Sequence, residues 1–272
     1  MVTAGPFRPG GVISLTTDFG LEEPYVGVMK GRILSRLPGA TLVDLTHGIP
    51  AHAVPVAGFW LGRAWRYLPP GTVHLAVVDP GVGTSRPILA AEAGNSVFLA
   101  PDNGLLAEAL RHESATFRRM DPALPERIGL GRPSATFHGR DLFAPLAAEL
   151  AAGRLLPADI GPAAEPADPA PLPQAEAEDQ VIAGHVILAD RFGNLVTNIG
   201  AGLLSRMRQP VVEAGTRHLQ IEATYGAADA NAAVAVINAW GLVELAVNGG
   251  RADRLLAMSP GSRVRVVDGM PA

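Results

Sequence analysis

The 272-residue chain is 48% hydrophobic and carries a formal net charge of −4 at pH 7, with no cysteine. This length and apolar content are enough for a sizeable core, most simply divided between two domains. The absence of cysteine excludes disulfides and thiolate metal sites. A slightly acidic chain offers no basic stripe for phosphates, so nucleic acid is not expected as a partner and a small-molecule substrate is.

The N-terminal sequence MVTAGPFRPGG has no apolar stretch of the kind that forms a secretory signal. No apolar run elsewhere is long enough to cross a bilayer. We therefore expect a cytoplasmic protein with a short disordered leader and no membrane partner.

The first half of the chain alternates between strand and helix patterns. The apolar run GVISLTT at residues 11–17 predicts a strand, and apolar residues then recur at helical spacing from Tyr25 to Leu37. Strands are also predicted at residues 40–47, 72–79, 88–93, 96–100 and 115–120, and helices at 54–68 and 141–152. Residues 1–160 are thus predicted to form an α/β domain with a doubly wound, mostly parallel sheet.

The composition then changes. Residues 161–180 are rich in proline, alanine and acidic residues, which predicts a linker between domains. Beyond it, short strand-like runs such as VIAGHVILAD, LVELAVN and SRVRVVDG are separated by glycine and asparagine turns. Residues 181–272 are predicted to form a small all-β barrel or sandwich.

Three aspartates, Asp18, Asp44 and Asp79, fall at or near the carboxyl ends of predicted strands. Ligands of open α/β sheets bind beyond the carboxyl ends of the strands. Each acid alone could instead cap a helix or bind loop amides, but the three together favour a site at this edge.

The motif TTDFG places Asp18 on a turn that contains Gly20, and nucleotide-binding α/β folds use a carboxylate to accept the ribose diol. No GxGxxG follows the first strand and no GxxxxGK[ST] occurs, so the usual cradles for a dinucleotide or a triphosphate are missing. A nucleoside without phosphates would need neither.

The loop VVDPGVGTSRP carries Asp79 and Arg86, which its glycines allow to face each other. A permanently charged arginine could keep the carboxylate ionised and stabilise a developing hydroxide, although a loop-bracing ion pair is the alternative. His138, in TFHGRD, stands at the entry to a predicted helix. It could serve in catalysis or only as a hydrogen-bonding loop residue.

Asp44, His47 and His52, in DLTHGIPAH, are residue types that can bind zinc. Their spacing matches no known metal motif and no HExxH is present, so we expect structural or substrate-lining roles and no metal.

In the second domain, DRFGNLVTN offers the carboxylate of Asp190, the ring of Phe192 and the amide of Asn194. These groups would suit an amino acid joined to a nucleoside, although the sequence FGN is also typical of an ordinary β-turn. The corner at Asn248, in VNGG, has backbone amides that could recognise a base edge or could form a plain turn.

Together these segments resemble the S-adenosyl-L-methionine (SAM) hydrolase family, the hydroxide adenosyltransferases related to the SAM-dependent fluorinase and chlorinase. The resemblance extends over nearly the whole chain and rests on the ordered motifs TTDFG, YVGVMKG, DLTHGIP, VVDPGVGTSRP, APDNGLL, TFHGRD, DRFGNLVTN and INAWGLVELAVNGG. It implies an α/β domain followed by a β-barrel, a homotrimer with SAM between subunits, and conversion of SAM to adenosine and L-methionine by hydroxide attack at C5′. No metal and no cofactor are implied.

By the same resemblance, Asp79, Arg86 and His138 would hold and activate water. Asp18 would bind the ribose hydroxyls and Phe137 would pack on the nucleoside. The neighbouring subunit would hold the methionine portion and the adenine through Asp190, Phe192 and Asn194, with Asn248 also in the substrate-binding set.

Two positions depart from the family pattern, because Val196 replaces a stacking tryptophan of the fluorinase and Ala239 stands where a serine is common. Gly139 stands where the fluorinase has a halide-binding serine, which favours hydrolysis over halogenation. A chlorinase-like halogenase and a SAM- or adenosine-binding sensor without turnover are the alternatives.

Overall fold

The computed structural model describes residues 7–167 and 172–269. The chain forms two compact units, Met1–Pro171 and Leu172–Ala272. Within the described residues, none of the helices combines the length and apolarity needed to cross a membrane.

The first unit is built on one mixed sheet. Its strands are β1 (Val12–Thr17), β2 (Thr41–Thr46), β3 (Val73–Val77), β4 (Ile88–Ala93), β5 (Ser96–Pro101) and β6 (Thr116–Arg119), in the spatial order β2-β1-β3-β5-β4-β6. The pairings β1–β2, β1–β3 and β3–β5 are parallel, whereas β4 pairs antiparallel with β5 and β6.

Helices cover both faces of this sheet, which confirms the doubly wound α/β prediction. The helices are α1 (Tyr25–Arg36), α2 (Val54–Ala64), α3 (Leu105–Ala109), α4 (Leu124–Arg127) and α5 (Ala144–Ala151). Apolar residues of α1 and α5 pack with one set of strand side chains, and those of α2 and α3 pack with the alternate set. The strands are therefore apolar on both faces, as a sheet buried on both sides requires.

The second unit is a closed β-barrel, as the sequence predicts. Its strands are β7 (Glu176–Glu178), β8 (Val181–Ala189), β9 (Leu195–Gly200), β10 (Pro210–Ala214), β11 (Arg217–Glu222), β12 (Ala233–Ile237), β13 (Leu242–Val247) and β14 (Arg263–Asp268), with short helices α6 (Ala201–Leu204) and α7 (Ala252–Leu255). The order β14-β10-β11-β12-β13-β9-β8 closes because β14 also pairs with β8, while β7 is added beside the start of β8.

Three of these strands were not predicted. β7 is a polar, exposed run, β9 begins within the turn-like DRFGNLVTN, and β10 begins with a proline. In the first unit, the helix predicted over residues 141–152 begins as a π-helical turn at Gly139–Phe143. Pro145 has no N–H to donate to the carbonyl of Asp141, so a continuous α-helix is interrupted there.

Parts of the predicted leader and linker lie outside the described residues, namely 1–6 and 168–171. The expected disorder of the leader is wrong from Phe7 onward, because the Phe7 ring is buried and its N–H donates to Glu92 at 3.0 Å. Residues 162–164 of the predicted linker exchange backbone hydrogen bonds with β6.

A histidine lies at the centre of the sheet. His74 is fully buried, its Nδ1 lies 2.8 Å from Ser14 Oγ, and its ring stacks on Phe98 at 4.7 Å. Burial lowers the pKa of His74 to about 3, so the imidazole is neutral in the folded protein.

This histidine makes stability depend on pH. Below about pH 6.5 the unfolded chain binds a proton at residue 74 that the folded protein does not, so the free energy of unfolding falls by up to about 1.4 kcal/mol per pH unit. Between pH 7.5 and 5.0 we expect the wild type to lose about 2 kcal/mol more than His74→Gln, measured by urea unfolding. Equal losses in the two proteins would contradict the assignment.

Candidate functional site

Two of the three predicted acids, Asp18 and Asp79, emerge at one edge of the sheet, whereas Asp44 lies within β2. β1 and β3 are parallel neighbours, with Thr17 paired to Val77, so Asp18 and Asp79 follow strands that end side by side. Asn103, from the APDNGLL segment, donates from Nδ2 to the carbonyl of Val78 at 2.9 Å and ties a third loop to this edge. The strand order thus brings together residues that are far apart in sequence.

Asp79 and Arg86 form a two-point ion pair. Arg86 Nε donates to Asp79 Oδ1 at 2.8 Å, and Arg86 Nη2 contacts Oδ2. The pair is nearly enclosed, because the side chains are only 5% and 11% exposed. The loop between them turns sharply through a hydrogen bond from Thr84 Oγ1 to the carbonyl of Gly81 at 2.7 Å.

Gly83 allows this loop to approach the segment that carries His138. Its φ is +77°, and a Cβ at this position would lie 2.1 Å from the carbonyl oxygen of Ala135. Any other L-residue would therefore strain the backbone and push the two loops apart. The close approach accounts for how His138, which is 52 positions further along the chain, reaches Arg86.

His138 completes the group, with its Nδ1 3.1 Å from Arg86 Nη2. A guanidinium has only donors, so Nδ1 must accept, and the neutral ring carries its proton on Nε2. Burial, followed by the positive charge of Arg86, lowers the pKa of His138 and favours this neutral form. The histidine thus presents an N–H, not a lone pair, from Nε2.

A polar network that the sequence did not reveal fixes the turn before His138. Asp141 accepts two hydrogen bonds from Arg140 and one from the Ser134 N–H at 2.9 Å. The Ser134 hydroxyl in turn accepts the N–H of Phe137 at 3.0 Å. The Arg140 hydrogen bonds lower the pKa of Asp141 to about 2, so this carboxylate stays ionised at neutral pH.

Asp18 and Phe137 belong to the same edge. Asp18 Oδ2 accepts the backbone N–H of His52 at 2.9 Å. Phe137 packs edge-on against Phe19 and Tyr25, with ring centroids 6.2 and 5.4 Å apart. Tyr25 is 47% exposed, so this aromatic cluster offers an accessible apolar surface beside the carboxylate.

A cavity of about 350 Å³ opens against Arg86 and His138. Its other lining residues include Ser85, Arg119, Met120 and Leu142. This space gives small molecules access to the ion pair from one side.

The predicted residues of the barrel form a tight turn. Asp190 Oδ1 accepts the N–H groups of Phe192 and Asn194, each at 2.9 Å, and Oδ2 accepts Asn194 Nδ2 at 3.3 Å. Gly193 has a φ of +87° and packs against Arg251. The turn presents the Phe192 ring, which is 68% exposed.

Asn248 lies elsewhere in the barrel, where its side chain donates to the carbonyl of Ala228 at 2.8 Å. Near it in sequence, buried Glu244 accepts from Tyr225 Oη at 2.8 Å and from Asn238 Nδ2 at 2.9 Å. Burial, then the hydrogen bond to Glu244, raises the pKa of Tyr225 to about 12. Sequence patterns alone did not single out this Glu244 group.

The departures from the family pattern are both in the barrel. Val196 is buried in β9 and Ala239 is exposed in the turn between β12 and β13. Among the described residues, no group of three or more histidines, aspartates or glutamates is arranged to hold a metal ion. Asp44 and His47 instead form a pair, with Nε2 of the histidine 3.0 Å from Oδ1 of the carboxylate.

Known proteins match this chain along most of its length. It is 42% identical to the (R)-S-adenosyl-L-methionine hydrolase of Thermus thermophilus, over 92% of this chain and 97% of that protein. The hydrolase of the same name from Salinispora arenicola is 40% identical, over 94% and 98%. The fluorinase of Nocardia brasiliensis is 27% identical, over 91% and 93%.

Solved structures agree with this relationship. An uncharacterised conserved protein from Thermotoga maritima superposes with a TM-score of 0.85 at 32% identity, covering 94% of this chain and 99% of that one. A conserved hypothetical protein from Thermus thermophilus gives a TM-score of 0.75 at 38% identity, covering 96% and 100%.

The family models divide the chain as the fold does. Residues 13–161 match the SAM hydroxide adenosyltransferase N-terminal domain, and residues 184–265 match the C-terminal domain of the same family. The chain therefore belongs to the SAM hydroxide adenosyltransferase family.

Proposed function

We propose that this protein is a SAM hydrolase that uses water to cleave SAM at C5′, giving adenosine and L-methionine. The observation that carries the proposal is the enclosed group of Asp79, Arg86 and His138 at the carboxyl edge of the sheet. Membership of the hydroxide adenosyltransferase family and relatives named as hydrolases support it.

The reaction needs an oriented oxygen nucleophile more than it needs help for the leaving group. The sulfonium leaves as a neutral thioether when the C5′–S electron pair passes to sulfur, while a water oxygen forms the new bond to C5′. Bulk water has a pKa of about 15.7, so its proton must be accepted as attack proceeds. We assign proton acceptance to Asp79, whose carboxylate Arg86 orients through both oxygens.

His138 has a different role in this scheme. Because its Nδ1 accepts from Arg86, its Nε2–H can donate to the attacking oxygen but cannot take a proton from it. A fixed donor of this kind stabilises the negative charge that the oxygen gains as its proton moves to Asp79. His138 is therefore proposed as an electrostatic catalyst and Asp79 as the base.

The substrate-binding roles are also proposals. Asp18 would accept the ribose hydroxyls, and Phe137 would pack on the nucleoside from within the aromatic cluster. On the barrel, we assign Asp190, Phe192, Asn194 and Asn248 to the methionine portion and the adenine. The turn built by Asp190 supports this assignment, because it leaves the Phe192 ring exposed for stacking.

We further propose a homotrimer in which each site is completed by the barrel of a neighbouring subunit, and a cytoplasmic location. The exposed Leu21 and Tyr25 on one unit and Phe192 on the other supply apolar surface for such contacts. We propose that the reaction needs neither a metal nor a cofactor, because the sulfonium is already an activated leaving group.

The proposal includes the configuration at sulfur. The sulfonium of SAM bears three different carbon substituents and is a stereocentre, and the curated relatives carry the descriptor (R) in their names. We propose that this protein prefers the same epimer, which rate measurements on the separated (R) and (S) forms would test.

A halogenase is the second candidate, and one position argues against it. A Cβ at Gly139 would lie 3.1 Å from Met29 Sδ and 3.2 Å from Phe137 Cε2, so a serine there has little room. Incubation of SAM with and without chloride separates the candidates by their products. For a hydrolase we expect adenosine and methionine in both cases. Formation of 5′-chloro-5′-deoxyadenosine would indicate a halogenase. Unchanged SAM together with measurable SAM binding would indicate a sensor.

Asp79→Asn tests the base. The amide keeps the size of the side chain but cannot accept the proton, so we expect kcat to fall by about 10²–10⁴ while SAM affinity stays within about threefold. Asp121→Asn, which alters another aspartate–arginine pair of the same unit, is the matched control and should keep its activity. Hydrolysis by Asp79→Asn at the parent rate would show that another group accepts the proton.

His138→Gln and His138→Ala test the donor role. Glutamine can accept from Arg86 and still donate to the oxygen, so we expect it to keep activity within about tenfold. Alanine removes the donor and should cost about 10²–10³ in kcat. If the two variants lose activity equally, His138 acts as a base or only as a structural residue.

A further inference from the structure

A chain of polar contacts runs behind the TTDFG turn and is not used by the proposed chemistry. His47 lies at its centre with its side chain only 2% exposed. Its Nδ1 is 2.8 Å from Thr17 Oγ1, and its Nε2 is 3.0 Å from Asp44 Oδ1. Nε2 is at ion-pair distance from the carboxylate, although the contact does not meet hydrogen-bond geometry. Because a nearby negative charge favours a proton on Nε2, Nδ1 accepts the hydroxyl proton of Thr17.

The chain reaches the surface at a lysine. Lys30, on α1, lies 2.6 Å from Asp44 Oδ2 and is the only lysine in the sequence. Burial alone would raise the pKa of Asp44, but contacts with His47 and Lys30 lower it overall. The carboxylate therefore stays ionised and holds the histidine from one side and the lysine from the other.

An irregularity in the sheet creates the geometry. Leu15 of β1 pairs with Asp44 of β2, but the next residue, Thr16, pairs with Thr46. The extra residue on β2 shifts the register, as in a β-bulge. It lets both Asp44 and His47 approach the end of β1.

The other end of the chain fixes the turn that carries Asp18. Thr17 Oγ1 accepts the N–H of Phe19 at 3.2 Å, and the carbonyl of His47 accepts the N–H of Gly20 at 2.9 Å. The backbone that follows Asp18 is thus tied to the same histidine, directly at Gly20 and through the Thr17 hydroxyl at Phe19.

We propose that Lys30, Asp44, His47 and Thr17 form a positioning relay that holds Asp18 and Phe19 in the geometry that binds the nucleoside. These are positioning residues, because they act through the turn and not on the reacting atoms. The inference rests on the proposed function in one respect, the assignment of Asp18 to the ribose. It predicts that damage to the relay weakens nucleoside binding and leaves the chemical step intact.

Thr17→Val and Thr17→Ser form a matched pair for the test. Valine has the shape of threonine without the hydroxyl, whereas serine keeps the hydroxyl. We expect Thr17→Val to raise the KM for SAM and the Kd for adenosine by about tenfold each, with kcat within about twofold, and Thr17→Ser to restore wild-type values. Unchanged adenosine affinity in a folded Thr17→Val protein, or a loss confined to kcat, would overturn the relay.

The adenosine Kd, measured by calorimetry, separates this inference from the proposed reaction. A wild-type protein that binds adenosine but does not hydrolyse SAM would refute the reaction and still report on the relay. Coupling is tested by adding Asp18→Asn. If Asp18→Asn and Thr17→Val act on one contact, the double variant should bind adenosine at most about twofold more weakly than the single variant with the lower affinity. A double variant whose loss of affinity equals the product of the two single losses would overturn the inference.

The contribution of Lys30, at the surface end of the relay, can be tested by chemical modification of the wild-type protein. Acetylation of the Lys30 amine with acetic anhydride removes its charge, and we expect adenosine affinity to fall about threefold to tenfold. Lys30→Arg keeps the charge and cannot be acetylated under these conditions, so its affinity should not change on treatment. Equal losses in both proteins would place the effect at other groups, and no loss in the wild type would remove Lys30 from the relay.

Discussion

The proposed site depends on the two-point pairing between Arg86 and Asp79. Because the guanidinium has donors in a fixed planar arrangement, one side chain can orient both the carboxylate and His138. Arg86 holds both oxygens of the Asp79 carboxylate, and its Nη2–H sets the tautomer of the histidine. One arginine therefore assigns two different roles to its neighbours, a proton acceptor and a hydrogen-bond donor.

The fold places this ion pair at the edge of the sheet where the parallel strands end. Parallel strands end side by side, so Asp18 and Asp79 emerge together, and antiparallel β4 begins at the end of the loop that carries Arg86. Loops at this edge then need a means of close approach, which Gly83 supplies against Ala135. The turn before His138 is held by the charges of Asp141 and Arg140, outside the proposed reaction.

Much of this could be predicted from the sequence. Apolar runs predicted the strands of the first unit and most of those in the second, since buried strands leave a strong pattern. The pairing of Asp79 with Arg86 followed from a short loop rich in glycine. Other features could not be predicted, because β10 begins with a proline and β7 is polar and exposed, so neither has the pattern of a buried strand.

The finer parts of the site depend on tertiary contacts that carry no local signal. Ser134 and Asp141 meet across a turn, and His47 becomes a relay residue only because the register of β1 and β2 shifts by one residue. From the sequence, Asp44 and His47 were residue types that can bind zinc, and structural or substrate-lining roles were expected for them. The tautomer of His138 likewise requires knowledge of which atom faces Arg86.

The most direct test of the central claim follows the oxygen atom. Turnover of SAM in water enriched in ¹⁸O, followed by mass spectrometry of both products, shows which bond the nucleophile forms. Attack of water at C5′ predicts one ¹⁸O at the 5′ position of adenosine and none in methionine, because the C5′–S bond breaks. Unlabelled adenosine, or label in the methionine product, would contradict hydroxide attack at C5′.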